Sequence, residues 1–216
     1  MYLYSLQNNA LEIFPIFGNQ SSGSPVILDY PIPEFQKVDP RDMEEMNHYN
    51  QRLLADNSAS WSLGWYLEDR SYILTGTHIQ KEWRIFHLGI DILFPAGTSL
   101  YNPLDGIIYE RWYESGDGNY WGYVIMKYSV SGSGFYALYG HLAVSSITSE
   151  TDFVKKWEIF AKLWESTENG NWFPHLHLQV FTGRDLNLWK SKGYCKWEDI
   201  AQMKYFCPDP SFLLRY

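Results

Sequence analysis

Apolar and polar positions alternate along much of the second half of the chain. Four stretches, 104–111, 122–129, 135–142 and 175–181, are rich in β-branched and aromatic residues and alternate in part, which predicts strands with one buried face. Ser131-Gly132-Ser133-Gly134 lies between the second and third and predicts a hairpin turn. Upstream the period changes: Met43, Met46, Tyr49 and Leu53 recur at helical spacing. They follow Asp39-Pro40, a capping carboxylate and a proline suited to the first helical position, so a helix is expected over 40–55. A short helix over 198–206 is expected near the end. Residues 1–38 are rich in Gly, Pro, Ser and Asn and predict short extended pieces joined by loops. The pattern describes a β-rich domain over 71–216, preceded by an extension over 1–70 that itself carries a helix.

Composition narrows the class. A chain of 216 residues with 45% hydrophobic and 19% charged side chains can bury a core without disulfides. Seventeen basic against 25 acidic residues give a net charge of −8, which argues against nucleic acid as a partner. No apolar run approaches the ~20 residues that a membrane helix needs. The N-terminus shows neither a basic n-region nor a clean apolar h-region, so no secretory signal is expected. That tilts the expected location slightly towards the cytoplasm, with export by a leaderless route as the alternative. Cys195 and Cys207 are too few and too far apart for a disulfide framework or a cysteine zinc site. Nothing in the sequence sets the oligomeric state.

The histidines carry the chemistry. In Pro174-His175-Leu176-His177-Leu178-Gln179-Val180, strand alternation puts His175 and His177 on one face and the aliphatic residues on the other. The two are about 6.6 Å apart along the strand. One ring can then ligate a metal while the other stands beside it; the alternative is two polar residues on a solvent face. His87 and Asp91 also share a face, but a straight strand would hold them about 13 Å apart. Gly89 is where the chain can bend to bring them together, whereas a buried His–Asp pair would look the same in sequence. His87, Asp91 and one of His175 and His177 make three ligands of the kinds zinc takes, leaving a position open. His141, in Tyr139-Gly140-His141-Leu142, and the remaining histidine are then available for proton transfer. His48 and His78 have no such company and are expected to be structural or at the surface. The ten tryptophans are expected mainly as packing, with Trp112, Trp121 and Trp172 near enough to the motifs to wall a groove.

Order, spacing and flanking residues over roughly 84–182 resemble the lysostaphin-type (LytM-like) zinc metallopeptidases, bacterial endopeptidases that mostly cut peptide crosslinks of peptidoglycan. The resemblance rests on His87-Leu-Gly-Ile-Asp91, Pro95-Ala-Gly-Thr98, Pro103-Leu-Asp-Gly-Ile107, Gly122-Tyr-Val-Ile125, Tyr139-Gly-His-Leu142 and Pro174-His-Leu-His177. It implies a mainly β (α+β) fold with an antiparallel, sandwich-like sheet. It also implies a Zn2+ cofactor held by His87, Asp91 and His177, with His141 and His175 as the catalytic pair. The implied activity is hydrolysis of an amide bond in peptidoglycan peptide or a related peptide. An intracellular peptide or small-amide substrate, or a non-catalytic binding role, are the alternatives. The groove is expected between the loops containing 116–120 and 165–172.

Two departures bear on the loops. Trp157 and Trp164 stand where the family commonly has glycine, which implies loops built differently at those points. Relatives are also often held inactive by an upstream segment, and Asn47, Asn50 and Asn57 could each offer an amide oxygen to zinc. The apolar content of 61–67 instead predicts that residues 1–70 pack as core.

Overall fold

The computed structural model describes residues 12–30, 32–39, 42–116, 119–130, 132–147, 151–164, 172–183 and 193–214. The fold is mainly β. Its centre is an eight-stranded sheet built from β1 (Val26–Leu28), β2 (Ser62–Gly64), β4 (Ile90–Leu93), β6 (Gly106–Glu114), β7 (Trp121–Val130), β8 (Ser133–Leu142), β9 (Phe153–Val154) and β11 (His175–Phe181). Their spatial order is β1-β2-β4-β11-β8-β7-β6-β9. Every pairing is antiparallel except β1 with β2. Two small antiparallel pairs complete the strands: β5 (Ser99–Tyr101) with β10 (Ile159–Lys162), and β3 (Phe86–His87) with β12 (Tyr194–Cys195). The helices are α1 (Met43–Asn57), the single turn α2 (His78–Lys81) and α3 (Ile200–Phe206). Among the described residues no helix is long and apolar enough to cross a membrane.

Alternation gives the sheet two unlike faces. Ile90 and Ile92 of β4, Leu176, Leu178 and Val180 of β11, Ala137 and Tyr139 of β8, and Val124 and Met126 of β7 point into the main core. Leu100 of β5 and Phe160 and Ala161 of β10 belong to the same cluster, so the small sheet covers this face. The other face carries His175, His177 and Gln179. Two smaller apolar clusters flank it, one around Phe35, Tyr49 and Phe173, the other around Tyr120, Phe181 and Met203.

Residues 12–70 are woven into this arrangement. β2 pairs with β4, Trp61 and Leu63 lie in the main core beside Ile13, Ile16 and Phe17, and Met46 and Tyr49 of α1 anchor the flanking cluster. The helix starts later than its sequence pattern suggests, and Asp42 caps it in place of Asp39. The Asp42 carboxylate accepts from the N–H groups of Glu44 (2.9 Å) and Glu45 (3.1 Å), while the Asp39 N–H donates to the Glu45 carboxylate. Pro40 and Ser131 lie outside the described residues.

Trp157 takes a backbone conformation that favours glycine. It adopts the left-handed conformation itself, at φ 68°, while its N–H donates to the Asn102 carbonyl and the Lys155 N–H to the Glu158 carboxylate. These bonds hold a bulky residue where glycine would sit without strain, against a penalty of about 1–2 kcal/mol. Trp164 has no such backbone; it is buried and stacks edge-on against Trp121.

Two outcomes are expected. A chain starting at residue 70 leaves the edge of β4 unpaired and removes Trp61 and Leu63 from the core, so it should aggregate. A soluble truncation with a cooperative thermal transition would show that β1 and β2 are dispensable. Trp157→Gly should raise stability by about 1 kcal/mol in urea denaturation, since the exposed indole packs little and the strain is released. A lower midpoint would mean that the ring holds the loop.

Candidate active site

The site begins with a bend. β3 pairs with β12 and β4 with β11, so the chain changes sheets at Leu88-Gly89. A Cβ on Gly89 would lie 2.7 Å from both the His177 ring and the Leu178 carbonyl, so only glycine permits this approach. The turn brings His87 Nε2 to 3.5 Å from Asp91 Oδ1, against the ~13 Å of a straight strand. Opposite Asp91 in the ladder is His177, which is also opposite Gly140 of β8. Its Nδ1 stands 3.0 Å from Asp91 Oδ1 and 3.1 Å from His87 Nε2.

Hydrogen bonds on the far sides of the rings decide what the cluster offers. His177 Nε2–H donates to Gln179 Oε1 at 3.1 Å, and His87 Nδ1–H to the Trp65 carbonyl at 3.4 Å. Their other nitrogens therefore present lone pairs to each other and to a carboxylate oxygen. Three acceptors, all buried, converge at separations of 3.0, 3.1 and 3.5 Å. A four-coordinate ion with bonds of 2.0–2.1 Å spaces its ligands by about 3.3 Å, so the donor set fits a divalent metal. Burial alone would raise Asp91, but Arg70 and the neighbouring histidines outweigh it and hold the carboxyl well below its usual range. Burial, followed by the charge of Arg70, pushes His87 well down. Both groups are thus poised as ligands, one ionised and one neutral.

His175 and His141 form a second pair beside the first. His175 Nδ1–H donates to the Phe173 carbonyl at 2.8 Å, leaving Nε2 to face the cleft 3.8 Å from Asp91 Oδ2, and burial lowers its pKa. The His141 ring lies 4.3 Å from that of His175, centroid to centroid. It reaches there through an irregularity: His141 has φ 60°, Trp121 φ 58°, and the β7–β8 register shifts between Gly122 and Val124. Gly122 is indispensable to it, because a Cβ there would meet the Leu142 carbonyl at 2.2 Å. Left-handed backbone at a non-glycine residue is costly, and here it aims a histidine into a cleft.

That cleft is lined by Tyr30, Ile73, Leu74, Ile79, Tyr120, Trp121, Trp172 and Phe173, with all the site residues except His87 also among its lining. Trp121 and Trp172 thus stand where the sequence suggested a groove wall. Trp112 is exposed on β6 and does not line it. Of the two expected loops, Asn119, Tyr120 and Trp172 contribute, while 117–118 and 165–171 lie outside the described residues. His48 and His78 are at the surface. Asn47, Asn50 and Asn57 are not among the cleft-lining residues: Asn50 accepts from Ser62 Oγ and Asn57 donates to the Leu53 carbonyl.

Residues 85–188 match the model of Peptidase family M23. The likeness to the lysostaphin-type peptidases lies in this segment. Similar solved structures include a zinc-containing peptidase from Vibrio cholerae, 23% identical with a TM-score of 0.34, over 44% of this chain and 27% of that one. The catalytic domain of the prophage-encoded M23 protein EnpA from Enterococcus faecalis is 26% identical, TM-score 0.35, over 45% and 69%. The catalytic domain of the antimicrobial peptidase lysostaphin from Staphylococcus simulans is 19% identical, TM-score 0.39, over 55% and 80%. The chain thus spans 27% of the length of the first of these. No curated protein matches the chain.

Three residues of this cluster escaped sequence reasoning. Gln179 was within reach of it, since H-x-H-x-Q puts all three side chains on one face of a strand. Tyr120, which donates to Gln179 Oε1 at 3.2 Å, and Arg70, which bonds Asp91, are brought in by tertiary packing alone. Gln179→Leu keeps the volume but removes the acceptor that orients His177. It should weaken divalent-metal binding about 10–100-fold, read by chelator competition, because partners behind a ligand typically contribute that much. Unchanged affinity would make Gln179 a packing residue.

Proposed function

We propose that the chain is a zinc-dependent metalloendopeptidase that hydrolyses an amide bond in peptidoglycan peptide or a closely related peptide. The observation that carries this reading is the convergence of three buried acceptors beside a histidine pair at the head of a cleft. His87, Asp91 and His177 would hold the ion, a His₂–carboxylate set of the kind found in catalytic zinc sites with an open position. Bound there, zinc supplies Lewis acidity towards a water molecule and the scissile carbonyl. The peptidase family of residues 85–188 supports a peptide substrate.

The protein's own groups do the rest. His175 is neutral at neutral pH because burial depresses it, and Nε2 is its free acceptor, so it can take a proton from the attacking water. The Phe173 carbonyl fixes its tautomer throughout. His141, tilted 46° to His175, can donate to the oxygen on which charge develops. Tyr30, Ile73, Leu74 and Phe173 keep water away from the cleft wall and orient the chain on either side of the bond. No group in this scheme acts as a nucleophile, so no covalent acyl intermediate forms.

Three variants separate the roles. His177→Ala should lose about one zinc per chain while the aliphatic face of β11 keeps the sheet folded. His141→Ala and His175→Ala should retain zinc and lose on the order of 10²-fold or more in rate on purified sacculi or muropeptides, with products read by mass spectrometry. Full zinc in His177→Ala would refute the ligand set. Loss of zinc in either of the other two would move that histidine into the metal's coordination sphere. A zinc-loaded protein inert on every peptidoglycan fragment but active on other peptides would redirect the substrate.

A further inference from the structure

Asp91 divides its two oxygens between different tasks. Oδ1 faces His87 and His177; Oδ2 is bonded by Arg70 Nη1. Arg70 is only 2% exposed, and it lies outside the segment that matches the peptidase family. Its remaining nitrogens grip Glu68: Nε is 2.6 Å and Nη2 2.5 Å from Oε1. The other Glu68 oxygen accepts from the Trp65 N–H at 2.8 Å, and the Trp65 carbonyl is the group that orients His87. A closed circuit results, running from His87 through Trp65, Glu68 and Arg70 to Asp91. Gly64 makes room for it, since a Cβ there would lie 2.6 Å from Arg70 Nη2 and 2.9 Å from Glu68 Oε1. Tyr30 closes the outer side, with the guanidinium carbon 4.8 Å from its ring centre.

We infer that Arg70, braced by Glu68, is a positioning residue of the metal centre. It reserves Asp91 Oδ2 so that Asp91 offers one oxygen, Oδ1, to the ion, and it ties the orientation of His87 to that of Asp91. The inference rests on the zinc reading above. Arginine suits the task because its planar fork reaches two carboxylates from separate nitrogens, whereas a lysine ammonium is a single point charge. A carboxylate released from this grip could swing or close on the ion through both oxygens, changing the coordination number.

The test uses the full chain with Arg70→Met and Arg70→Lys, each titrated with Zn2+ against a chelator and each loaded with Co2+ for its visible spectrum. Arg70→Met should bind zinc about 10–100-fold more weakly, the usual effect of removing a partner behind a ligand. Its cobalt bands should lose the intensity of a four-coordinate site. Arg70→Lys should shift both readouts in the same direction by less, since it keeps the charge and loses the fork. A purely structural role would lower the melting temperature of the metal-free protein and leave the affinity and the cobalt spectrum alone. Wild-type values of both in folded Arg70→Met overturn the inference, and if that variant does not fold, wild-type values in Arg70→Lys overturn it. Wild-type protein that takes up no zinc defeats the zinc reading and this inference together. Normal zinc in the wild type with unaltered variants defeats this inference alone.

Discussion

The register of β4 against β11 is the constraint on which the rest of the molecule depends. With His177 opposite Asp91, two side chains from strands far apart in sequence share a face and meet at 3.0 Å. A slip of one residue in either strand would send its own member of the pair into the aliphatic core and bring Ile or Leu into the cleft. The apolar alternation forbids that slip. Ile90 and Ile92 on one strand and Leu176, Leu178 and Val180 on the other must all face the same core, and they are fully buried there. The hydrophobic pattern thus does more than stabilise the sheet: it holds Asp91 and His177 in step. β2 and β8, pairing on the outer edges of these two strands, keep either from shifting alone.

This constraint explains which features could be read in advance. The four main strands and both His motifs follow a period of two, and a period is a local property of sequence. Gly89 could also be understood locally, because a glycine between two residues that must converge marks a bend. Features set by contact were harder. Asp39 and Asp42 both precede the helix and both suit a cap; what separates them is where the first helical N–H groups come to lie, with Glu44 and Glu45 donating to Asp42. Trp157 shows the opposite failure. Intrinsic preference puts glycine at a left-handed position, but bonds to Asn102 and Glu158 from around the turn hold that backbone in place at a tryptophan. Arg70 was invisible for a third reason. Its partner Asp91 is 21 residues away and reaches it only because β2 joins the sheet next to β4.

The same geometry accounts for how the fold tolerates its site. A buried carboxylate facing two imidazole lone pairs is an expensive arrangement, since each group has left water and none supplies a proton to the others. Compensation comes from behind. Arg70 supplies a cation to Asp91, Gln179 and the Trp65 carbonyl accept the outer ring protons, and Phe173 does so for His175. Every acceptor that turns inward is therefore matched by a bond that points outward, and the elements that provide those bonds are the ones packed on both flanks of the site.

That division of labour bears on where the working unit begins. The peptidase family segment starts at residue 85, yet the groups bracing His87 and Asp91 come from Trp65, Glu68 and Arg70, and part of the cleft wall comes from Tyr30, Ile73 and Leu74. Those groups are placed by β1, β2 and the cluster around Phe35 and Tyr49, which also pack α1 against the sheet. A segment that served only to cover the groove would be tied to it by contacts that can be broken without disturbing His87, Asp91 or His177. Here the contacts run through a buried arginine bonded to Asp91 and through the edge of β4 that pairs with β2. The upstream residues and the strand that carries Asp91 thus share one frame, with Arg70 bonded to Asp91 and β2 paired along β4.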